Sequence, residues 1–246
     1  MRFIVVIPAR YASTRLPGKP LATAGGKPLV QWVYEAARRS RAERVVVATE
    51  DERIVKAVQG FGGEALMTST AHESGTDRIA ETAERLGLPA ERIVLNVQGD
   101  EPQMTPELID EVAALLDRRP DADMATAACR MTNAAEFADP NVVRVVMNAQ
   151  GDALYFSRAN IPFPRDGGGV PALALRHFGI YAYRAEFLKS WTGWPPCELE
   201  LTERLEQLRA LHRGACIAVA VTGARPGIAI DTPDDLARWR KSLGEG

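Results

Sequence analysis

The chain has 246 residues, 46% of them apolar, which is enough to bury a substantial core within one large domain. Its 30 Lys and Arg and 32 Asp and Glu give a formal net charge of −2, which argues against a protein whose main partner is a nucleic acid. Three cysteines without ligand-like spacing predict no zinc site and favour a reducing compartment. No stretch approaches the roughly 20 apolar residues of a membrane span, so we expect a cytoplasmic protein with no membrane partner.

Short runs rich in Val and Ile alternate with amphipathic segments over the first half of the chain. This alternation predicts right-handed crossovers and an α/β fold, with a mainly parallel sheet flanked by helices. Ligands of such sheets bind at the carboxyl ends of the strands, so the residues that follow each run are candidates for a site. The predicted strands are 3–7, 44–48 and 92–97, and the predicted helices are 28–39, 51–60 and 76–86.

The segment from about 140 to 197 has a different pattern. Two short apolar runs at 141–148 and 153–157 predict a β-hairpin, and a further strand is predicted at 176–184 after a glycine-rich loop. We therefore expect a single domain over 1–246 that carries an inserted antiparallel lobe. Two helices, at about 201–213 and 232–242, are predicted to close the chain.

A basic loop follows the first predicted strand, with the sequence PARYASTRLPGKP over residues 8–20. A polyphosphate needs cationic side chains together with backbone N–H groups that it can approach closely, and short side chains permit that approach. The loop matches neither the P-loop pattern nor the dinucleotide-binding G-x-G-x-x-G pattern. A solvated basic loop is the alternative, but its place at a strand end favours phosphate binding. The candidates are Ala9, Arg10, Ser13, Thr14, Arg15 and Lys19.

Two aspartates also follow predicted strands or apolar runs. Asp100 lies after the third strand, and Asp231 lies after an apolar run. The next helices have their own N-cap candidates in Thr105 and Thr232, so neither aspartate is needed as a cap. Because Mg²⁺ takes one or two protein carboxylates and completes its shell with water and phosphate, these residues predict a magnesium site. Glu101 is expected to play a supporting or structural role.

Six motifs, spread over nearly the whole chain, resemble those of the 3-deoxy-manno-octulosonate (Kdo) cytidylyltransferases in the same order. The resemblance implies a Rossmann-like nucleotidyltransferase fold, transfer of CMP from CTP to Kdo for lipopolysaccharide biosynthesis, and Mg²⁺ as cofactor. It also implies a homodimer formed through the inserted lobe, for which Trp191 and Trp194 look suited as a partner surface. The motifs are PARYASTRLPGKPL (8–21), NVQGDEP (96–102), ALYFSRANIP (153–162), LRHFGIYAYR (175–184), LEQLR (205–209) and IDTPDDL (230–236).

The resemblance also implies which residues act. It assigns catalysis to Arg10, Lys19, Asp100 and Asp231, and it adds Ser74, Gly75 and Arg78 to the nucleotide site. Sugar contacts are implied for Arg78, Gln98, His177, Tyr181, Glu206 and Gln207.

Taken alone, several of these residues have plain structural interpretations. Ser74 with Asp77 also forms a helix start. Alternation along 176–183 puts His177 and Tyr181 on one face of a strand, although a lone histidine is more often structural. Glu206 and Gln207 lie off a leucine stripe that includes Leu201, where residues ordinarily face solvent.

Three other functions are open at this point. A related nucleotidyltransferase could use a sialic acid or an amino-substituted Kdo, and the spacing of residues does not indicate which base is bound. A catalytically silent nucleotide-sugar sensor is the second, but the chain keeps Lys19, Asp100 and Asp231. A nucleic-acid-binding module is the third, and it should show a basic surface that this composition lacks.

Overall fold

The computed structural model describes residues 1–12, 15–72 and 74–245, and their elements follow the predicted alternation. The strands are β1 (Phe3–Pro8), β2 (Thr23–Ala24), β3 (Lys27–Pro28), β4 (Arg44–Thr49), β5 (Ala65–Met67), β6 (Ile93–Asn96), β7 (Met124–Arg130), β8 (Arg144–Met147), β9 (Ala153–Ser157), β10 (Leu175–Arg184) and β11 (Ile217–Thr222). The helices are α1 (Leu29–Arg38), α2 (Glu52–Gly60), α3 (Gly75–Arg85), α4 (Pro106–Arg118), α5 (Ala134–Ala138), α6 (Ala185–Trp191), α7 (Glu198–Glu203), α8 (Gln207–His212) and α9 (Pro233–Ser242), and a 3₁₀ helix spans Lys19–Leu21.

One large mixed sheet organises the described part of the chain. Its strand order is β11-β7-β10-β6-β1-β4-β5. The half that runs from β6 through β1 and β4 to β5 is parallel throughout, and β11 is parallel to β7. β10 is antiparallel to both of its neighbours, β6 and β7. The predicted α/β class with a mainly parallel sheet is therefore confirmed.

Helices cover both faces of this sheet, as the runs of Val and Ile predict. In β1, Phe3, Val5 and Ile7 pack into one hydrophobic core, whereas Ile4 and Val6 pack into a second core on the opposite face. Residues of α1, α2 and α4 complete the first core, and residues of α3, α6 and α8 complete the second. A strand buried on both faces reads as a continuous apolar run, which is why β1, β4 and β6 were recognisable.

The antiparallel strands of residues 140–197 are present, but they do not stand apart from the main sheet. β10 lies in its centre, between β6 and β7, and the β8–β9 hairpin joins the same sheet where Arg144 pairs with Arg176. The expectation of an inserted lobe that includes β10 therefore needs correction. The sequence of β10 has one polar face, as an exposed strand would have. In the structure this face lines a pocket.

The helix predicted over 201–213 is in fact two short helices. α7 and α8 are separated at Arg204, which has a left-handed backbone with φ of 55°. Because of this break, Leu201 is 52% exposed and does not belong to the buried leucine stripe, whereas Gln207 is 5% exposed. The break turns the Glu206–Gln207 pair inward.

No helix in residues 1–12, 15–72 and 74–245 combines the length and the hydropathy that spanning a membrane requires.

Candidate active site

The carboxyl ends of the parallel strands β1 and β6 bring the first loop against residues 98–100. The backbone N–H of Val97 donates to the carbonyl of Val6 at 3.2 Å, which extends the pairing beyond β6. At Gly99, a Cβ atom would lie 2.9 Å from the carbonyl oxygen of Pro8, so a side chain does not fit there. This close approach sets Asp100 beside the basic loop.

Four charged side chains meet at this point, and we call Arg15, Lys19, Asp100 and Asp231 the cation–carboxylate cluster. The ammonium of Lys19 lies 2.7 Å from Asp100 Oδ2 and 3.0 Å from Asp231 Oδ1. Arg15 pairs with the same oxygen of Asp231 at 3.1 Å. Burial lowers the pKa of Lys19, but the two carboxylates more than offset this, so its pKa is raised and the ammonium stays charged.

Neither aspartate of the cluster caps a helix. Thr105 caps α4 by accepting from the N–H of Leu108, and Thr232 caps α9 in a capping box with Asp235. A hydrogen bond of 2.9 Å from the N–H of Ile230 to the carbonyl of Asp100 holds the two segments together. The prediction that Thr105 and Thr232, and not the aspartates, cap these helices is confirmed.

The cluster has the donor chemistry that magnesium requires. The carboxylates of Asp100 and Asp231 both contact the ammonium of Lys19. They are therefore close enough to bind one metal ion together. The described residues contain no group of three or more His, Cys, Asp or Glu able to enclose a metal. Two carboxylates with the remaining positions left to water and phosphate are nevertheless the usual protein share of a Mg²⁺ site, so the residues fit.

The rest of the basic loop is partly engaged in the fold. Ala9 is buried, and its N–H donates to the carbonyl of Ala48 at 2.9 Å. Arg10 is exposed at the end of β1. The N–H of Tyr11 donates to Glu50 Oε1 at 3.0 Å, which anchors the start of the loop to the end of β4. Ser13 and Thr14 lie outside the described residues, so their predicted contacts with phosphate stay predictions.

Arg78 is engaged in the fold behind the first loop, and its predicted contacts with nucleotide and sugar stay predictions. Its side chain is 1% exposed, and it pairs with Glu50 Oε2 at 2.9 Å. Burial lowers the pKa of Arg78, and the charge of Glu50 opposes this effect. Glu50 also accepts a hydrogen bond from the N–H of Tyr11. By fixing Glu50, the buried Arg78 therefore helps to position the first loop. Ser74 caps α3, which begins at Gly75, as its structural interpretation predicts.

Next to the cluster lies a pocket of about 270 Å³, which we call the β10 pocket. Five of the six residues predicted to contact a sugar line it, and Arg78 does not. Gln98, one of its lining residues, is two residues from Asp100, so the pocket and the cluster share one segment. The lining residues are Gln98, Asn141, Val142, Val143, Arg176, His177, Gly179, Tyr181, Tyr183, Trp191, Leu205, Glu206 and Gln207.

The predicted alternation along β10 is confirmed by its two faces. His177, Gly179 and Tyr181 line the pocket, whereas Phe178 and Ile180 belong to the hydrophobic core behind it. A Cβ atom on Gly179 would lie 3.1 Å from Glu101 Oε1, so the absence of a side chain leaves room beside that carboxyl group. Burial, and next the charge of Asp100, raises the pKa of Glu101 to about 7.

The pocket carries polar atoms that the protein itself does not satisfy. Glu206 Oε1, Gln207 Nε2 and the Trp191 Nε1 are buried without a hydrogen-bond partner. The other oxygen of Glu206 accepts from Thr76 Oγ1 at 2.9 Å. Buried polar atoms are rarely left unpaired without a reason, and two donors and one acceptor around a cavity suit a ligand rich in hydroxyl groups.

Burial disfavours the charged forms of several pocket side chains. It lowers the pKa of His177 to about 3 and raises the pKa of Tyr181 well above its ordinary value. It also raises the pKa of Glu206. Apart from Arg176, the pocket therefore presents side chains whose charged forms are disfavoured, in contrast with the neighbouring cluster.

Several residues of the pocket were not assigned to it from the sequence, among them Trp191 and Arg176. Trp191 was expected on a partner surface, but it is 1% exposed and lines the pocket. Arg176 supplies a cation, paired with Glu136 at 2.5 Å, and Tyr183 shares the face of His177. Alternation along the strand was sufficient to find Tyr183. Trp191 could not be found in this way, because it reaches the pocket only through the packing of α6.

Comparison with known proteins identifies the family of the chain. A cytidylyltransferase family model matches residues 4–217. The 3-deoxy-manno-octulosonate cytidylyltransferase of Pseudomonas fluorescens is 56% identical over 98% of both chains. That of Vibrio cholerae is 51% identical over 100% of this chain and 99% of its own.

Two solved structures resemble the chain as well. CMP:2-keto-3-deoxy-manno-octonic acid synthetase in complex with CTP has a TM-score of 0.91 and 42% identity, over 100% of this chain and 99% of the other. A cytidylyltransferase from Leptospira borgpetersenii, at 15% identity and a TM-score of 0.65 over 100% and 88% of the two chains, shares the fold. The chain is therefore a nucleotidyltransferase that belongs to the family of the 3-deoxy-manno-octulosonate cytidylyltransferases.

Proposed function

We propose that the protein transfers CMP from CTP to the anomeric hydroxyl of Kdo, releasing pyrophosphate, and so supplies CMP-Kdo for lipopolysaccharide biosynthesis in the cytoplasm. The observation that carries this proposal is the adjacency of two unlike sites. One is a charged cluster suited to a triphosphate, and the other is a pocket whose unpaired polar atoms suit hydroxyl groups. They share the segment from Gln98 to Asp100. Relatives that carry the name of this activity match the whole chain.

The triphosphate would bind at the basic loop. Lys19 and Arg15 lie beside the two carboxylates of the cluster, and Arg10 is exposed just after β1. These cations would neutralise the charge that accumulates on the departing pyrophosphate. Such transfer needs positioning and charge stabilisation far more than a covalent protein group.

Asp100 and Asp231 would hold Mg²⁺. When bound, the ion supplies positive charge to the phosphate oxygens and lowers the pKa of the attacking hydroxyl. The role of the chain here is to fix the two carboxylates, which it does through the backbone contact between Ile230 and Asp100.

The β10 pocket would bind Kdo. Its unpaired donors on Gln207 and Trp191, and the acceptor on Glu206, match a sugar acid with several hydroxyl groups. Arg176 provides a cation for the carboxylate of the sugar. The described residues that line this pocket include no serine or cysteine, which favours direct attack by the sugar hydroxyl on the α-phosphate of CTP.

We also infer that the protein works as a homodimer. Phe163 and Leu173, between β9 and β10, are 79% and 71% exposed, which is unusual for large apolar side chains. Burial of these residues against a second copy would remove them from water. Sedimentation of the wild-type protein and of Phe163→Asp tests this: we expect a dimer that the substitution weakens, and a monomeric wild type would contradict it.

Pyrophosphate release tests the catalytic proposal directly. CTP, UTP, ATP and GTP are each combined with Kdo, 8-amino-Kdo or N-acetylneuraminate in the presence of Mg²⁺. We expect turnover with CTP and Kdo. Turnover only with another sugar acid would overturn the acceptor, and no turnover by folded protein would favour a nucleotide-sugar sensor instead.

A further inference from the structure

A buried hydroxyl behind the β10 pocket contacts one of the pocket residues. Thr126 lies on β7 with no exposed surface, and its Oγ1 is 2.9 Å from His177 Nε2. The same oxygen lies 2.7 Å from the carbonyl oxygen of Ile180 and 3.3 Å from that of Phe178. Thr126 thus contacts a nitrogen that either donates or accepts, and two oxygens that only accept.

An irregularity in the sheet creates this arrangement. Along the antiparallel pair of β7 and β10, Phe178 faces Ala127 but the next pairing is Tyr181 with Thr126, so the register shifts. Gly179 and Ile180 are therefore extra residues on the β10 side. Such a bulge leaves backbone groups of the bulged strand without ladder partners, and here it turns carbonyl oxygens towards the threonine hydroxyl.

The single proton of that hydroxyl decides the direction of each hydrogen bond. A carbonyl oxygen cannot donate, so the close contact with Ile180 is favourable only if Thr126 donates its proton there. Thr126 then has only lone pairs left for His177, whose Nε2 must carry the hydrogen. The opposite arrangement would set two acceptors against each other at 2.7 Å in a dry interior, which is costly.

We propose that Thr126 is a positioning residue for the sugar: it holds His177 in the neutral form with hydrogen on Nε2, so that Nδ1 accepts a hydrogen bond from a sugar hydroxyl. Nδ1 has no hydrogen-bond partner among the described residues, and the ring lines the pocket. Phe156 and Tyr181 pack on the ring at centroid distances of 4.9 and 5.4 Å and keep its plane in place. The inference rests on the proposed function, because that function supplies the sugar.

Nitrogen NMR of histidine-labelled protein tests the tautomer without any substrate. The chain has three histidines, and His177→Gln identifies the signals of His177 by their loss. We expect the pattern of a protonated Nε2 and an unprotonated Nδ1 in the wild-type protein at neutral pH. A protonated Nδ1, or a charged ring, would overturn the proposal.

Kinetics of Thr126→Val and Thr126→Ser test the consequence. The valine variant keeps the branched shape without the hydroxyl, so we expect a mixture of tautomers and an increase of about tenfold in the KM for Kdo. The KM for CTP should stay unchanged, and serine should restore both readouts. A valine variant with the wild-type tautomer and KM would contradict the proposal.

The two proposals fail in different ways. If wild-type protein shows the expected tautomer but forms no CMP-Kdo, the proposed function is wrong and the tautomer assignment stands. If it forms CMP-Kdo with the other tautomer, the function stands and the role of Thr126 is wrong. Should the valine variant not fold, the wild-type spectrum still decides the tautomer.

Discussion

The cation–carboxylate cluster and the β10 pocket are neighbours, but they differ in charge: the cluster contains paired charged groups, whereas most titratable groups of the pocket are in environments that disfavour charge. The cluster keeps two cations and two carboxylates in contact and partly open to solvent, with Lys19 16% and Asp231 34% exposed. The pocket holds His177, Tyr181 and Glu206 in environments that disfavour their charged forms. Three buried polar atoms of the pocket have no hydrogen-bond partner in the protein, whereas the charged groups of the cluster pair with one another.

This difference indicates how the two substrates are handled. Phosphoryl transfer gains most from fixed charges aimed at the reacting phosphate, so substitutions in the cluster should act mainly on turnover. A sugar is selected by matching its hydroxyl groups to neutral donors and acceptors, so substitutions in the pocket should act mainly on the KM for Kdo. Each prediction below tests this division, beginning with the largest effect.

Replacement of Asp100 by Asn should cause the largest loss. The change removes one of two carboxylates available to Mg²⁺ while keeping the shape of the side chain, so turnover should fall about a thousandfold. Pyrophosphate release at saturating CTP and Kdo measures it. Asp110→Asn, which removes a carboxylate paired with Arg41 outside the cluster, is the matched control. Near-normal activity in Asp100→Asn would refute the metal assignment.

Replacement of Lys19 by Met should lower turnover about a hundredfold, because a cation that stabilises the departing pyrophosphate is lost. Without the ammonium, Asp100 and Asp231 repel each other, so the free protein should also become less stable. Mg²⁺ should then raise the melting temperature of the variant more than that of the wild type, since binding stabilises the folded state.

The control for this variant is Lys27→Met, which breaks an ion pair with Glu35 on α1. Melting curves with and without Mg²⁺ give the comparison. An equal rise in melting temperature with Mg²⁺ in Lys19→Met and the wild type would show that Lys19 does not neutralise the charges of Asp100 and Asp231 in the free protein.

A neutral donor in the pocket should behave differently. Gln207→Leu removes the unpaired buried Nε2, so the KM for Kdo should rise about tenfold with little change in the KM for CTP. Since an unsatisfied donor is removed, stability should stay constant or increase. Gln59→Leu, at an exposed position of α2, is the control. A loss of turnover without a change in KM would break the division between the two regions.

Much of this fold could be predicted from the sequence, and the exceptions have physical causes. The strands β1, β4 and β6 are buried on both faces and read as continuous runs of Val and Ile. β7 has the sequence MATAACR, whose small residues carry little strand preference, and no strand was predicted there. The break at Arg204 also gave no local signal, because the flanking residues favour a continuous helix.

The candidate site divides in the same way. Lys19 and Asp100 lie in the segments that follow β1 and β6, so chain order alone predicts that they approach each other. Asp231 follows an apolar segment that is not a strand, and the hydrogen bond from Ile230 to Asp100 brings it there. His177 and Tyr181 follow from alternation along β10. Trp191 and Thr126 could not be found, because each depends on how distant elements pack: Trp191 through α6, and Thr126 through a register shift between β7 and β10. The ion pair of Arg78 with Glu50 also depends on tertiary packing and could not be found from the sequence.

The smallest predicted effect concerns the uncharged character of the pocket itself. The ordinary pKa of histidine is 6.5, but burial holds His177 at about 3 in the folded protein. Between these values the unfolded chain binds a proton that the folded chain does not, so stability is lost as the pH falls from 6.5 towards 3. His177→Gln abolishes this contribution. On lowering the pH from about 7.5 to about 5.5, the variant should therefore lose about 1 kcal/mol less than the wild type.

Urea unfolding at the two pH values measures the difference, with the exposed His212→Gln as control. The control should follow the wild type, because it changes a histidine outside the β10 pocket. If His177→Gln loses as much stability as the wild type, the ring is charged or readily hydrated in the folded protein. The β10 pocket would then share the charged character of the cluster, and its selection of a sugar would rest on ion pairing rather than on neutral hydrogen bonds.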